Sequence, residues 1–124
     1  MVGIVLISHS SGLAAETVVL ARGICGTDVP ILAAGGTDDG EFGTSVDKVA
    51  AAVEKADQGD GVLLIPDLGS SVLTARLLEQ PGSVVVADAP FVEGAVSAAV
   101  AAGCGATLDA VLAAAEEART IRKM

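Results

Sequence analysis

The feature that most constrains the fold is a set of four short apolar runs in which Ile, Val, Leu and Ala follow one another without alternation. They lie at about residues 2–8, 29–34, 62–65 and 83–86. A parallel strand with both faces buried has this composition, because neither row of its side chains meets water. Segments with helical spacing of apolar residues separate the runs. The alternation predicts an α/β fold: a three-layer sandwich with a central, mainly parallel, four-stranded sheet and helices on both faces.

Helix boundaries are predicted from capping residues and stops. Ser10 or Ser11 should cap the first helix, which runs from about Gly12 to Ile24 and stops at Gly26. The other predicted boundaries are Thr44 (cap of the second helix), Gln80 (end of the third), Pro90 and Gly103 (start and end of the fourth) and Thr107 (cap of the fifth).

Three polar segments follow the first three strands, and the topology is expected to bring them together. Right-handed crossovers place these segments at one edge of the sheet. We predict the strand order 2-1-3-4, in which His9, the 35–43 loop and the 67–71 segment converge around the central first strand. Open α/β sheets bind ligands at this carboxyl edge.

Length and charge exclude several classes of protein. The 124 residues predict a single domain, 1–124. The net charge of −9 argues against a nucleic-acid partner and favours a basic protein partner, although a role in solubility alone is equally compatible. No apolar run is long enough for a membrane span, and we expect a cytoplasmic protein without a signal peptide. Cys25 and Cys104 form no CxxC pair, and no metal site is predicted.

His9 is the only histidine, and it lies between a central strand and a helix N-terminus. The free N–H groups and positive potential of such a terminus suit a phosphate, so we predict that His9 carries a phosphoryl group. Asp67 is predicted to hold the ring and fix its tautomer, which leaves Nε2 as the attacking nitrogen. The residues predicted to line the phosphate site are Ser10, Gly36, Thr37, Gly69, Ser70 and Ser71.

Simpler interpretations remain open for each residue. His9 could be a structural strand-end residue, Asp67 could only cap the third helix, and Gly36 could only serve a turn. Known site types are absent, because the chain has neither GxGxxG after the first strand nor a P-loop. A Ser-His-Asp hydrolase would lack its GxSxG elbow.

Three stretches resemble a known family: residues 7–10 (Ile-Ser-His-Ser), residues 34–45 (Ala-Gly-Gly-Thr-Asp-Asp-Gly-Glu-Phe-Gly-Thr-Ser) and residues 67–70 (Asp-Leu-Gly-Ser). The chain is similar to the phosphotransferase (DhaM) subunits of phosphoenolpyruvate-dependent dihydroxyacetone kinases. The resemblance extends to about Arg119 and implies a mannose-type IIA fold.

The resemblance also implies a function. The histidine matching His9 would accept a phosphoryl group from the histidine phosphocarrier protein HPr and pass it to ADP on the nucleotide-binding kinase subunit. The aspartate matching Asp67 would be its hydrogen-bond partner. The family implies homodimers and no bound cofactor, and HPr and enzyme I are expected as separate proteins. The alternatives are a IIA component of a mannose-type sugar transporter and a non-catalytic binding module.

Overall fold

The four predicted strands form one parallel sheet in a computed structural model that describes residues 1–124. The strands are β1 (Gly3–Ser8), β2 (Ile31–Gly35), β3 (Val62–Pro66) and β4 (Val84–Val86). The helices are α1 (Ser11–Cys25), α2 (Val46–Ala56), α3 (Gly69–Arg76), α4 (Phe91–Gly103) and α5 (Leu108–Glu117). The strand order is β2-β1-β3-β4, and all three pairings are parallel, which confirms the predicted architecture.

Each face of the sheet builds its own hydrophobic core. Within β1, Ile4 and Leu6 belong to the core built with α1, α4 and α5, whereas Val5 and Ile7 belong to the core built with α2 and α3. All four side chains are fully buried. Strand side chains alternate between the faces, so only an unbroken apolar run can fill both cores. The need to fill both cores therefore explains the unbroken apolar run from which β1 was predicted.

The helix boundaries agree with the sequence prediction at most positions. Ser10 caps α1 by accepting the Leu13 N–H at 3.2 Å, and Gly26 ends it. Thr107 caps α5.

Two of the predicted boundaries are wrong. Ser45, not Thr44, caps α2, because the Thr44 hydroxyl is bonded to Thr74 Oγ1 at 2.8 Å. Helix α3 ends at Arg76 rather than near Gln80, since the chain then tightens into turns and Gln80 pairs with Val84 in an antiparallel bridge.

The ends of β1, β2 and β3 lie level with one another. Ser8 is in register with Gly35 of β2, and Ile7 is in register with Pro66 of β3. Gly35 is required here, because a Cβ atom on it would lie 2.6 Å from the Ser10 carbonyl oxygen. The three segments that follow the strands therefore begin at one edge of the sheet. No helix has both the length and the apolar character to traverse a bilayer.

Candidate active site

His9 follows directly after the central strand, and its backbone is held on both sides. Its N–H donates to Asp67 Oδ2 at 3.1 Å, and its carbonyl accepts the Gly43 N–H at 3.0 Å. The side chain is 26% exposed, whereas the preceding Ser8 is fully buried. The imidazole therefore stands at the surface on a fixed backbone.

The two nitrogens of the ring have different partners. Nδ1 lies 3.0 Å from Asp67 Oδ1, and a carboxylate can only accept a hydrogen bond. Nδ1 therefore carries a proton, and in the neutral ring Nε2 keeps its lone pair. The Ser70 hydroxyl is hydrogen-bonded to Nε2 and is the donor in that pair when the ring is neutral. In the neutral ring, Nε2 is the nitrogen with a lone pair available for chemistry.

Asp67 is nearly buried and accepts hydrogen bonds on both oxygens. Oδ1 accepts from the Ser71 hydroxyl at 2.7 Å and from the Leu68 N–H at 2.7 Å, and Oδ2 accepts from the Ser8 hydroxyl at 2.8 Å. Burial by itself raises the pKa of Asp67, but hydrogen bonds from Ser71, Ser8 and His9 outweigh it and lower that pKa from 3.8 to about 2. The carboxylate is therefore charged at neutral pH and faces Nδ1.

Two helix N-termini lie beside the ring. The N–H groups of Gly69, Ser70 and Ser71 in the first turn of α3 have no acceptor within the chain, and neither have those of Ser11 and Gly12 in α1. Such groups, together with the helix dipole, favour an anion. Ser70 places the α3 terminus on the Nε2 side of the ring, where a phosphoryl group would be attached.

The other predicted lining residues are placed differently from expectation. The Gly36 N–H donates to the Ser8 carbonyl at 3.1 Å, and the Thr37 N–H donates to the Glu41 carbonyl at 2.9 Å. Neither residue is hydrogen-bonded to the imidazole, so their amides are not available to a phosphate. The Ser10 N–H is likewise bonded to Ser8 Oγ, at 3.0 Å.

The 67–71 segment divides between the two sides of the ring. The Ser71 hydroxyl lies 3.2 Å from Nδ1 and supports Asp67, so it is on the opposite side of the ring from Ser70. Ser70 remains on the Nε2 side, whereas Gly69 makes no hydrogen bond to the ring. Asp67 is not the N-cap of α3; Leu68 occupies that position and makes no side-chain cap bond. The capping interpretation of Asp67 is therefore wrong.

Ser8 belongs to this site although the sequence did not identify it. Its buried hydroxyl donates to Asp67 Oδ2 and accepts the Ser10 N–H, so it joins the aspartate to the start of α1. The available signal was a polar residue at the end of a fully apolar strand, because such a group must find partners inside the protein. No group of three or more His, Cys, Asp or Glu side chains is placed to hold a metal ion.

The fold and the site together define a class: an α/β domain with a partly exposed histidine that a carboxylate orients at the carboxyl edge of the sheet. The model of the EIIA-man family, described as the PTS system fructose IIA component, matches residues 3–112. The chain belongs to this family.

Named relatives agree with this membership. The chain is 33% identical over 111 residues to the phosphotransferase subunit DhaM of the PTS-dependent dihydroxyacetone kinase of Lactococcus lactis, covering 88% of this chain and 89% of the relative. It is 37% identical to the phosphoryl donor subunit DhaM of Escherichia coli. That alignment covers 90% of this chain but only 26% of the longer Escherichia coli protein. The solved structure of a protein of unknown function, EF1359, has a TM-score of 0.78 and 30% identity over 92% of both chains.

Proposed function

We propose that this protein is a phosphocarrier subunit of a phosphoenolpyruvate-dependent dihydroxyacetone kinase. His9 accepts a phosphoryl group from HPr and passes it to ADP on the nucleotide-binding kinase subunit. The observation that carries the proposal is the 3.0 Å contact between Nδ1 and Asp67, because a proton held on Nδ1 leaves Nε2 of the neutral ring free to attack phosphorus. The similarity to DhaM subunits supports this choice of kinase.

The first step is a transfer between two histidines. The Nε2 lone pair forms a bond to phosphorus while the phosphorus–nitrogen bond of the donor breaks, and the donor ring keeps that electron pair. Nδ1 of His9 retains its proton, so the phosphorylated ring gains positive charge. Asp67, whose pKa of about 2 keeps it ionised, faces that charge and stabilises it.

The amides beside Nε2 serve the phosphoryl group. The N–H groups of Gly69 and Ser70 offer hydrogen bonds to its oxygens, and the Ser70 hydroxyl turns from Nε2 to an oxygen as the new bond forms. Phosphoryl transfer needs little beyond positioning and charge stabilisation, so this set of groups suffices. In the second step the Nε2–phosphorus bond breaks, and a terminal phosphate oxygen of ADP takes the phosphoryl group.

A second function is favoured by the description of the matching family, which names a fructose IIA component. A IIA component of a sugar transporter would use the same chemistry at His9 and deliver the phosphoryl group to a transporter protein. The two functions differ only in the acceptor, so an experiment must test discharge as well as loading.

The test is intact-mass spectrometry after incubation with enzyme I, HPr and phosphoenolpyruvate. We expect a gain of one phosphoryl group (about 80 Da) that is labile in acid and absent from His9→Ala. Discharge on adding the nucleotide-binding subunit with ADP supports the kinase, and loading without discharge supports the sugar transporter. No gain, with a known acceptor labelled in parallel, would contradict both and favour a binding module.

We also propose that the protein forms homodimers through α4 and α5. Val100 of α4 and Ile121, which follows α5, are 44% and 67% exposed. Ile121 borders grooves of about 290 and 410 Å³ on this side of the molecule, and Val100 borders the second of them. Sedimentation equilibrium should give twice the chain mass, and Ile121→Asp should give the monomer. A monomeric wild-type protein would contradict this part of the proposal.

A further inference from the structure

Phe42 is 85% exposed although it lies in the segment that contacts His9. The apolar area of an exposed aromatic side chain gains nothing from folding, and a partner that covered it would gain the free energy of removing that area from water. The next residue, Gly43, donates its N–H to the His9 carbonyl at 3.0 Å. Phe42 therefore stands beside the proposed phosphoryl acceptor without packing into the core.

The exposure of Phe42 is imposed by an ordered loop. The Thr37 N–H donates to the Glu41 carbonyl at 2.9 Å, and the Glu41 N–H donates to Thr37 Oγ1 at 3.1 Å. The Ser45 hydroxyl donates to Asp38 at 2.7 Å. These bonds close the loop on itself and fix the Phe42 backbone, so the side chain is displayed at a defined position.

The surroundings of Phe42 form a recess against the start of α1. A cavity of about 440 Å³ is lined by Phe42, Glu41, Gly40, Ser11 and Ser10. Ser10 is the residue after His9, so the recess reaches the chain segment that follows the histidine, although His9 itself does not line it. In the other segment at His9, Leu68 follows Asp67 and is 63% exposed. Two exposed apolar side chains thus occupy the two segments that hold the ring.

The loop that carries Phe42 is acidic. Residues 36–45 contain Asp38, Asp39 and Glu41 and no Lys or Arg. On the Leu68 side, Arg76 and Asp67 line the same pocket. The Lys48 ammonium donates to the Gly35 carbonyl at 3.2 Å. The protein as a whole carries −9. An apolar contact bordered by exposed carboxylates complements a protein surface with an apolar centre and lysine or arginine around it.

We infer that Phe42 and Leu68, bordered by Asp39 and Glu41, are the docking surface for the protein that donates the phosphoryl group to His9. The matching surface of that donor is apolar at its centre and basic at its rim. The inference rests on the proposed phosphocarrier function, because a donor must bring its phosphorus to Nε2. A second copy of this chain is disfavoured as the occupant of this surface, since self-association here would bring Asp39 and Glu41 of one copy against the same carboxylates of the other.

The experiment compares two ways of phosphorylating His9. Phosphorylated HPr must dock, whereas phosphoramidate, a small phosphoryl donor that releases ammonia, needs no docking. We expect Phe42→Ala to raise the KM for phosphorylated HPr at least about tenfold, with the maximal rate retained. Phosphoramidate should label Phe42→Ala at the wild-type rate. The control is Ile24→Ala, which removes another exposed apolar side chain from the end of α1 and should leave both rates unchanged.

The charge requirement is tested separately with Glu41→Gln and Asp39→Asn, against Asp109→Asn in α5 as the control. The wild-type KM for phosphorylated HPr should rise with salt, and the double variant should reduce this dependence.

The possible outcomes separate the inference from the function on which it rests. If phosphoramidate labels His9 but Phe42→Ala reacts normally with phosphorylated HPr, the docking surface is overturned and the phosphocarrier function stands. If neither donor labels the wild-type protein, the phosphocarrier function itself fails. If Phe42→Ala loses labelling by both donors, Phe42 maintains the site and is not a docking residue.

Discussion

Two segments flank His9, and they use their polar groups in opposite ways. In the turn between β3 and α3, Asp67 and Ser71 direct their side chains at Nδ1, and Ser70 directs its hydroxyl at Nε2. In the loop between β2 and α2, Thr37 and Glu41 bond to each other, and the loop meets His9 only through the Gly43 N–H. The first segment orients the ring, and the second shapes the surface beside it.

The difference indicates that chemistry and recognition are separable in this protein. A change in the β3–α3 turn should alter the rate of transfer at saturating donor. A change in the β2–α2 loop should alter the KM for the donor and leave kcat unchanged. Kinetics that resolve kcat from KM can therefore test the contrast for each substitution.

The largest effect is expected for Asp67→Asn, which keeps the shape of the side chain and removes its charge. The neutral amide no longer stabilises the positive charge of the phosphorylated ring, so kcat should fall about 100-fold with KM little changed. Stopped-flow or quenched phosphorylation by HPr measures both parameters. Asp109→Asn is the control for loss of one carboxylate. If Asp67→Asn kept the wild-type kcat, the β3–α3 turn would not be the segment that determines the rate of transfer, and the contrast between the two segments would be wrong.

Asp67 should also make stability depend on acid pH. Its pKa is about 2 in the folded protein and 3.8 ordinarily, so the folded state favours the ionised form. The resulting stabilisation is fully present above pH 3.8 and is lost as the pH falls through about 2. It corresponds to about 2 kcal/mol. Urea unfolding, followed by circular dichroism, should show wild type losing this amount relative to Asp67→Asn on acidification. Parallel pH profiles would contradict the assigned hydrogen bonding.

Ser8→Ala tests the buried support beneath the site. Removing the hydroxyl takes one donor from Asp67 Oδ2 and leaves the Ser10 N–H without its acceptor. The free energy of unfolding should fall by about 1–2 kcal/mol, and the pKa of Asp67 should rise. Ser83→Ala, at an exposed serine, is the matched control and should change stability by less than about 0.5 kcal/mol. Equal losses in the free energy of unfolding for Ser8→Ala and Ser83→Ala would show that the buried hydrogen bonds of the Ser8 hydroxyl do not stabilise the fold.

The architecture was predictable because it depends on patterns within short segments. Unbroken apolar runs such as Val62–Ile65 can only be satisfied between two layers of helices, and the right-handed crossover rule restricts their order. His9 and Asp67 were also predictable, since strand ends that meet at one edge bring their following residues together. The boundary at Thr44 was missed because its hydroxyl has a distant partner, Thr74, that no local pattern reveals.

The contacts inside the site were less predictable than its members. Glycine-rich loops commonly cradle phosphates, and on that ground Gly36 and Thr37 were expected to do so. Their N–H groups instead bond to Ser8 and Glu41, a choice made by the tertiary path of the loop. Ser70 and Ser71 are adjacent in sequence yet serve opposite nitrogens of the ring. Only the direction in which α3 leaves the sheet determines which serine meets which nitrogen.

The smallest effect is expected for Ser70→Ala, and it distinguishes the two adjacent serines. The Gly69 and Ser70 amides remain in place without the hydroxyl, so kcat should fall less than about tenfold and stability should not change, because Ser70 is exposed. Ser71→Ala should instead lower stability, because its hydroxyl is fully buried against Asp67. Phosphorylation rates and urea unfolding of both variants measure the contrast. A larger loss of rate in Ser70→Ala than in Asp67→Asn would mean that the hydroxyl, rather than the charged aspartate, dominates the transfer.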